Sequence, residues 1–347
     1  MPGPRKDRLG LFARHLALPL LLLLTIDALA QPRATLGPPA LGPLCAEGAN
    51  TDVIIGGCTV RIESGLLSPQ DLAAALALRG EAYFRARNYA PAFADFSQAV
   101  QLAPNQAAYH RGLGLARGNL RRDGDALANA TQIEQALGDF NQAIRLDPKD
   151  ARSLVHRGEA FVALGRPERG LDDLNQAVIV DPGWAEAYIS RGAAHRAMGD
   201  NQQAIHDFDT AIRLRPNAPA AYLNRGLSHD AIEAYDRAIT DFDTAIQLDP
   251  SDALAFNARG VSYAKQGRTD RAIEDFEHTL KLNPGLADAF FNLGQAYFLK
   301  GDKDRAVANF IQARQLDSRF PDIPEDMFES FEMDIPDRVG RRRPFSQ

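Results

Sequence analysis

Cysteine is nearly absent from this 347-residue chain, which has 2, at positions 45 and 58. A cysteine-rich metal or multi-disulfide framework is therefore excluded, and no His or further Cys completes a zinc ligand set around the pair. Long hydrophobic runs are scarce as well. The one strongly apolar stretch, Leu16 to Leu24, lies between Arg14 and Asp27 and is shorter than the roughly 20 residues a spanning helix needs. Positive charge is in deficit: Lys+Arg 39 against Asp+Glu 45 leaves a net charge of −6, which argues against nucleic acid as the main partner. Catalytic signatures are missing too, with no nucleophile elbow, no P-loop and no HExxH. Gly112-Leu-Gly114 followed by Gly118 is not a dinucleotide fingerprint, because no strand precedes it. No enzyme activity, no cofactor and no metal site is expected. Disorder is excluded as the dominant state, since 45% hydrophobic residues is the share of an ordinary globular protein.

What is present begins with an address. Arg5, Lys6, Arg8 and Arg14 precede the apolar run, and Ala28-Leu29-Ala30 follows it. A positive start, a short apolar core and an A-x-A end make a secretory signal peptide over residues 1–30, cleaved after Ala30. The chain is expected in the periplasm or secreted, with membrane association only if that segment is retained. In an oxidising compartment Cys45 and Cys58 are expected to form a disulfide. Residues 31–44, rich in Pro and Gly, read as a linker.

The body is periodic. Glycines at 158, 192, 226, 260 and 294 are 34 apart, and Gly80 opens the same pattern earlier. At fixed offsets stand an aromatic or His (Tyr83, Phe161, His195, His229, Tyr263, Tyr297), then Ala or Gly (Ala92, Gly170, Ala204, Ala238, Ala272, Ala306). Phe or Leu follows at Phe96, Leu174, Phe208, Phe242, Phe276 and Phe310, and Pro closes the unit at 104, 182, 216, 250 and 284. With the first glycine numbered 8, these are positions 11, 20, 24 and 32. Each unit reads as two amphipathic helices whose second member stops before its proline. Small residues at 8 and 20 mark a close approach of the two helices, and the residue at 24 fills the space between hairpins.

These landmarks resemble the tetratricopeptide repeat family. The resemblance implies an all-α, right-handed superhelical solenoid of about seven helix-turn-helix hairpins over residues 73–320, with N- and C-terminal capping helices. Stacked hairpins share one continuous core, so the length does not imply two independent domains. Residues 45–72, stapled by the disulfide, would cap the first repeat, with Asn50 or Thr51 starting a helix that carries Ile54, Ile55, Cys58 and Ile62 on one face. Residues 321–347 would cap the last through Met327, Phe328 and Phe331 and end in a basic tail.

Repeat two is irregular, because Gly80 to Gly158 spans two periods plus ten residues. Gly112 keeps the Arg-Gly pair of the other repeats and Gly114 keeps the distance from Pro104. The Gly112 register is preferred, with twelve extra residues inside the hairpin, around 118–131. In that register position 7 is Arg at 79, 111, 157, 191, 225 and 259, and position 23 is Asp at 95, 139, 173, 207, 241 and 275. Repeat seven loses both together, with Leu293 and Asn309. Their joint presence and joint loss predict a ladder of Arg–Asp pairs with a structural role.

In the family, positions 2, 5, 6 and 9 of each first helix line a concave groove. Here they include Arg152, His156, Glu159, Glu186, Ser190, Asn224, Asn257 and Asn292. The expected function is a non-catalytic scaffold or adaptor that takes a protein or peptide in this groove, side-chain amides binding peptide backbone. A glycan or cell-wall binding protein is the alternative, and it would need stacking aromatics such as Phe291 and Phe84. A membrane-held assembly factor is another, if the leading segment stays attached.

Overall fold

The computed structural model describes residues 45, 50–120 and 126–320. The expectations for the signal segment, the linker at 31–44, the terminal helix with Met327, Phe328 and Phe331, and the basic tail all lie outside the described residues. Among the described residues the chain is all α, with fifteen helices and no strand. The helices are α1 (Thr51–Glu63), α2 (Pro69–Arg85), α3 (Tyr89–Leu102), α4 (Ala107–Gly118), α5 (Ala126–Leu146), α6 (Ala151–Ala163), α7 (Pro167–Val180) and α8 (Ala185–Ala197). They continue with α9 (Asn201–Leu214), α10 (Pro219–Ala231), α11 (Tyr235–Leu248), α12 (Ala253–Lys265), α13 (Thr269–Leu282), α14 (Ala287–Lys300) and α15 (Lys303–Leu316).

Local chemistry sets several of the starts. The Asn50 side chain accepts the Asp52 N–H at 3.0 Å and so caps α1. Ser68 does the same for α2 through Asp71 N–H at 3.1 Å, and Pro69 occupies the first turn, where its missing N–H costs nothing. Helix α2 therefore begins at Pro69, ahead of position 1 of the first repeat, residue 73.

The chain forms two compact units, one reaching Ala234 and the other starting at Tyr235. In the first unit α2 packs on α3, α4 on α5, α6 on α7 and α8 on α9, and α1 packs on α2. In the second, α12 packs on α13 and α14 on α15. Within each unit every hairpin packs against the next, so each is a short solenoid of helix pairs.

The position-24 side chains are the centres of the hairpin cores. Phe96, Phe140, Leu174, Phe208, Phe242, Phe276 and Phe310 are all buried. Phe96, Phe140, Leu174, Phe208, Phe276 and Phe310 crowd the room a Cβ would need at position 8 of their own repeat: the Phe208 ring comes within 2.7 Å of a Cβ built on Gly192, and the Phe276 ring within 2.7 Å of one on Gly260.

This pairing corrects the register of repeat two. The residue against Phe140 is Gly114, where a Cβ would lie 2.7 Å from the ring, while Gly112 faces Phe96 of the preceding repeat. Gly114 therefore holds position 8, and the Gly112 assignment is overturned. Phe140 follows Gly114 by 26 positions, against 16 from Gly80 to Phe96, so ten extra residues are present rather than twelve. Helix α5 has 21 residues where α7 has 14, and that lengthening by seven takes up most of them.

A second period accompanies the first. Gly165, Gly199, Gly267 and Gly301 sit at position 15 with φ of 72°, 85°, 77° and 87°, closing the first helix in a left-handed turn. Glu233 stands at the same position with φ 62°. A side chain there costs roughly 1 kcal/mol, so Glu233→Gly is expected to stabilise the chain by about that amount. A chemical denaturation series on the two proteins measures it.

Cys45 and Cys58 are joined, buried at 1% and 0% exposure among Ile54, Ala74, Ala75, Leu78 and Ala82. The staple closes a loop of 13 positions, for which the loop-entropy model gives roughly 3 kcal/mol. Reduction is expected to free α1 first. Hydrogen exchange should rise in α1 and the start of α2 while α12 to α15 keep their protection.

Candidate partner-binding site

The Arg–Asp ladder is built as forks. Arg191 Nε donates to Asp207 Oδ2 at 2.9 Å and Nη2 donates to Oδ1 at 2.6 Å, while Nη1 reaches back to Asn175 Oδ1 of the preceding repeat at 3.2 Å. Arg157 repeats this with Asp173 and Asn141, and Arg259 with Asp275 and Asp243. Arg79 holds Asp95 and takes Thr59 of α1 as its outer contact. Each guanidinium thus ties its own second helix to the one before. Its hydrogen bonds to Asp275, with the carboxylate's charge, hold Arg259 above the ordinary guanidinium value. Burial pushes the Asp275 carboxyl up, and Arg259 pulls against it.

Two members depart from the expected pairing. Arg111 does not meet Asp139; it pairs with Asp150, which also accepts Ser153 Oγ at 2.6 Å. Asp139 is held by Arg117 Nε at 2.7 Å. In the Gly114 register Arg117 lies at position 11, one turn beyond position 7 on the same helix face, and from there it reaches the lengthened α5. Repeat seven, lacking the Arg, ties back differently: Tyr297 Oη donates to Glu277 Oε1 at 2.7 Å under the Arg305 guanidinium, 4.2 Å above the ring.

The first-helix stripe divides between the two units. In the first, Arg152 and Asn224 are half-buried, whereas His156, Glu159, Glu186 and Ser190 are buried, between 3% and 6% exposed. Glu159 joins two of them: Ser190 Oγ donates to its Oε1 at 2.6 Å, and His156 Nδ1 lies 3.1 Å from its Oε2. Glu186 pairs with Arg215. Burial lowers the Arg152 pKa, the Arg111 charge lowers it further, and Asp150, Glu81 and Glu186 oppose them. Asn224 Nδ2 donates to Ala220 O in its own helix at 2.9 Å. Most of this stripe is a closed network that ties α6 to α8.

In the second unit Asn257 and Asn292 meet, Nδ2 of Asn292 donating to Oδ1 of Asn257 at 3.2 Å. Sequence position also puts their neighbour Gln295, at position 9 of α14, in this stripe. It is 5% exposed, and its Nε2 is buried with no hydrogen-bond acceptor. The signal was its polarity at a position where Val261 and Leu227 stand in earlier repeats. Among the described residues no group of three or more His, Cys, Asp or Glu could hold a metal.

Comparison with known proteins agrees with this architecture. The tetratricopeptide repeat family model matches residues 121–187, 189–253 and 257–318. No curated protein matches the chain. Among solved structures, a tetratricopeptide repeat protein from Parabacteroides merdae is similar with a TM-score of 0.54 at 20% identity, over 74% of this chain and 96% of that one. A chain of the APC/C hetero-tetramer Cut9-Hcn1 is similar with a TM-score of 0.66 at 16% identity, over 81% of this chain and 52% of its own length, so the present chain spans about half of it. A monomeric mutant of IFIT1 with Gppp-AAAA gives 0.62 at 16% identity, over 77% and 64%. At these identities the likeness concerns the fold.

Proposed function

The chain belongs to the tetratricopeptide repeat family, and from that premise we propose that it is an exported, non-catalytic scaffold that receives an extended peptide segment of a partner protein along its first-helix stripes. The amide cluster of the second unit carries this reading. A buried amide N–H without an acceptor costs roughly 1–3 kcal/mol, and Gln295 Nε2 is such a group beside the Asn257–Asn292 pair. A peptide backbone carbonyl is the acceptor that fits, since it demands no particular side chain from the ligand. Export rests on the leading segment and on the use of both cysteines in one disulfide, which suits a periplasmic or secreted protein.

The glycan alternative loses its candidates. Phe84 and Phe291 are buried, the latter with its ring centroid 5.3 Å from that of Phe310 and 5.0 Å from that of Phe320. A membrane-held form would depend on residues 1–30, and among the described residues no helix is long and apolar enough to cross a membrane.

The test is calorimetric titration of the full chain with a peptide selected on it. Gln295→Leu and Asn257→Ala should each weaken binding by about 3- to 10-fold, the worth of one hydrogen bond. Binding unchanged by both would remove this stripe as the peptide site. N-terminal sequencing of the protein recovered from a periplasmic fraction tests export, with Gln31 as the expected first residue.

A further inference from the structure

Arg196 is an arginine without its acid. It stands at position 12 of the fourth repeat, the second-last residue of α8, and continues Glu186, Ile189 and Ala193 along one face of that helix. Its Nε is sealed from solvent and makes no hydrogen bond, and no ion pair to this side chain occurs among the described residues. Burial lowers its pKa, with no neighbouring carboxylate raising it. Neighbouring arginines differ: Arg111 of α4 has Asp150, and Arg215, at the end of α9, has Glu186. Asp230, at the same position of α10, does not pair with Arg196.

Helix α10 packs against α8. Stripe positions 5 and 9 hold Ile189 and Ala193 on α8, both buried, and Leu223 and Leu227 on α10, both half-buried. The stripe is aliphatic at these positions on both helices, and at position 12 of α8 stands a half-buried guanidinium without an ion-pair partner among the described residues. Leaving such a charge unpaired is costly, and an opposite charge from outside removes the cost.

We propose that Arg196 anchors an acidic side chain of the partner, so that the segment docking on α8 and α10 carries an Asp or Glu next to an aliphatic residue. This rests on the first-helix stripes being docking surfaces and adds the chemistry of what docks there. The carboxylate takes the guanidinium, and the aliphatic neighbour covers Leu223 and Leu227.

Two measurements test it. The first needs no ligand: Arg196→Met should raise the melting temperature of the free chain, whereas Arg191→Met, which breaks a ladder fork, should lower it. A lower melting temperature for Arg196→Met would mean that the fold already satisfies this guanidinium, and the proposal would fall. The second selects random peptides of about twelve residues on the full chain, then titrates the best peptide and its Glu→Gln (or Asp→Asn) version. Enriched acidic–aliphatic pairs, an about 10-fold or greater preference for the acidic peptide, and loss of that preference in Arg196→Gln are expected. If Leu227→Ser removes binding but acid and amide peptides bind alike, the docking surface stands and the role of Arg196 does not. If no peptide is enriched, or neither variant weakens binding, the docking reading for this unit fails and the proposal with it.

Discussion

Asp207→Ala is expected to cost the first unit about 3 kcal/mol, at the lower end of the range for a charge left behind in a buried pair. Asp207 is 2% exposed and receives two hydrogen bonds from Arg191, so its removal leaves a guanidinium with its hydrogen bond to Asn175 and the Tyr188 ring 5.5 Å away, and no counter-charge. The lower end applies because the Arg191 side chain keeps 20% of its surface exposed and can turn partly to water. Removing both charges should cost far less than removing one. The chain contains its own precedent: repeat seven has Leu293, 5% exposed, and Asn309, whose Nδ2 donates to Arg305 O at 2.7 Å. Arg191→Leu with Asp207→Asn copies that solution into repeat four. Urea denaturation of the two single variants and the double gives the coupling. Additive losses would show that the fork is not a unit.

The ladder was legible because its residues recur with the period and vanish together. The structure adds the second arm of each fork, to position 25 of the preceding repeat, where Asn141, Asn175, Asp209 and Asp243 vary enough to hide the pattern. The irregular repeat was misread for a related reason. Arg111-Gly112 imitates the pair found elsewhere, but the ring that fills the hairpin core is Phe140, and the glycine beneath it is Gly114. Ten inserted residues moved the second helix along the first, and the Arg that serves Asp139 moved with it by one turn, to 117. Sequence spacing along one helix cannot register a shift in its partner.

The first-helix stripe was legible only as a face. Position on that face puts His156, Glu159 and Ser190 near one another, yet it does not say that Glu159 closes their hydrogen bonds. Two of the residues with unmet demands, Gln295 and Arg196, stand at positions 9 and 12, where polarity alone does not set them apart from Glu159 and Asp230. Their character comes from what the neighbouring helix omits. On the proposed reading, unmet demand, more than polarity, separates a surface that binds from one that holds the repeats together.

Phe208→Ala is the second large effect, a loss of about 3–5 kcal/mol. The ring is fully buried, and its Cε1 lies 2.7 Å from the place a Cβ would take on Gly192, so it holds the space between α8 and α9 down to the glycine backbone. This geometry fixes the sign of a companion substitution. In the wild-type chain Gly192→Ala should destabilise, because the methyl meets a rigid ring and overpacking outweighs the roughly 1 kcal/mol that alanine gains over glycine in a helix. In the Phe208→Ala background the ring is gone, and the same Gly192→Ala should stabilise by about 1 kcal/mol. Hairpins in a solenoid draw support from their neighbours, so the loss should also reach α7 and α10, which pack on α8 and α9. Urea denaturation of the four proteins reads the sign, and hydrogen exchange reads the spread. A methyl at 192 that acts the same way with and without the ring would mean that the approach of α8 to α9 is set elsewhere than at Phe208.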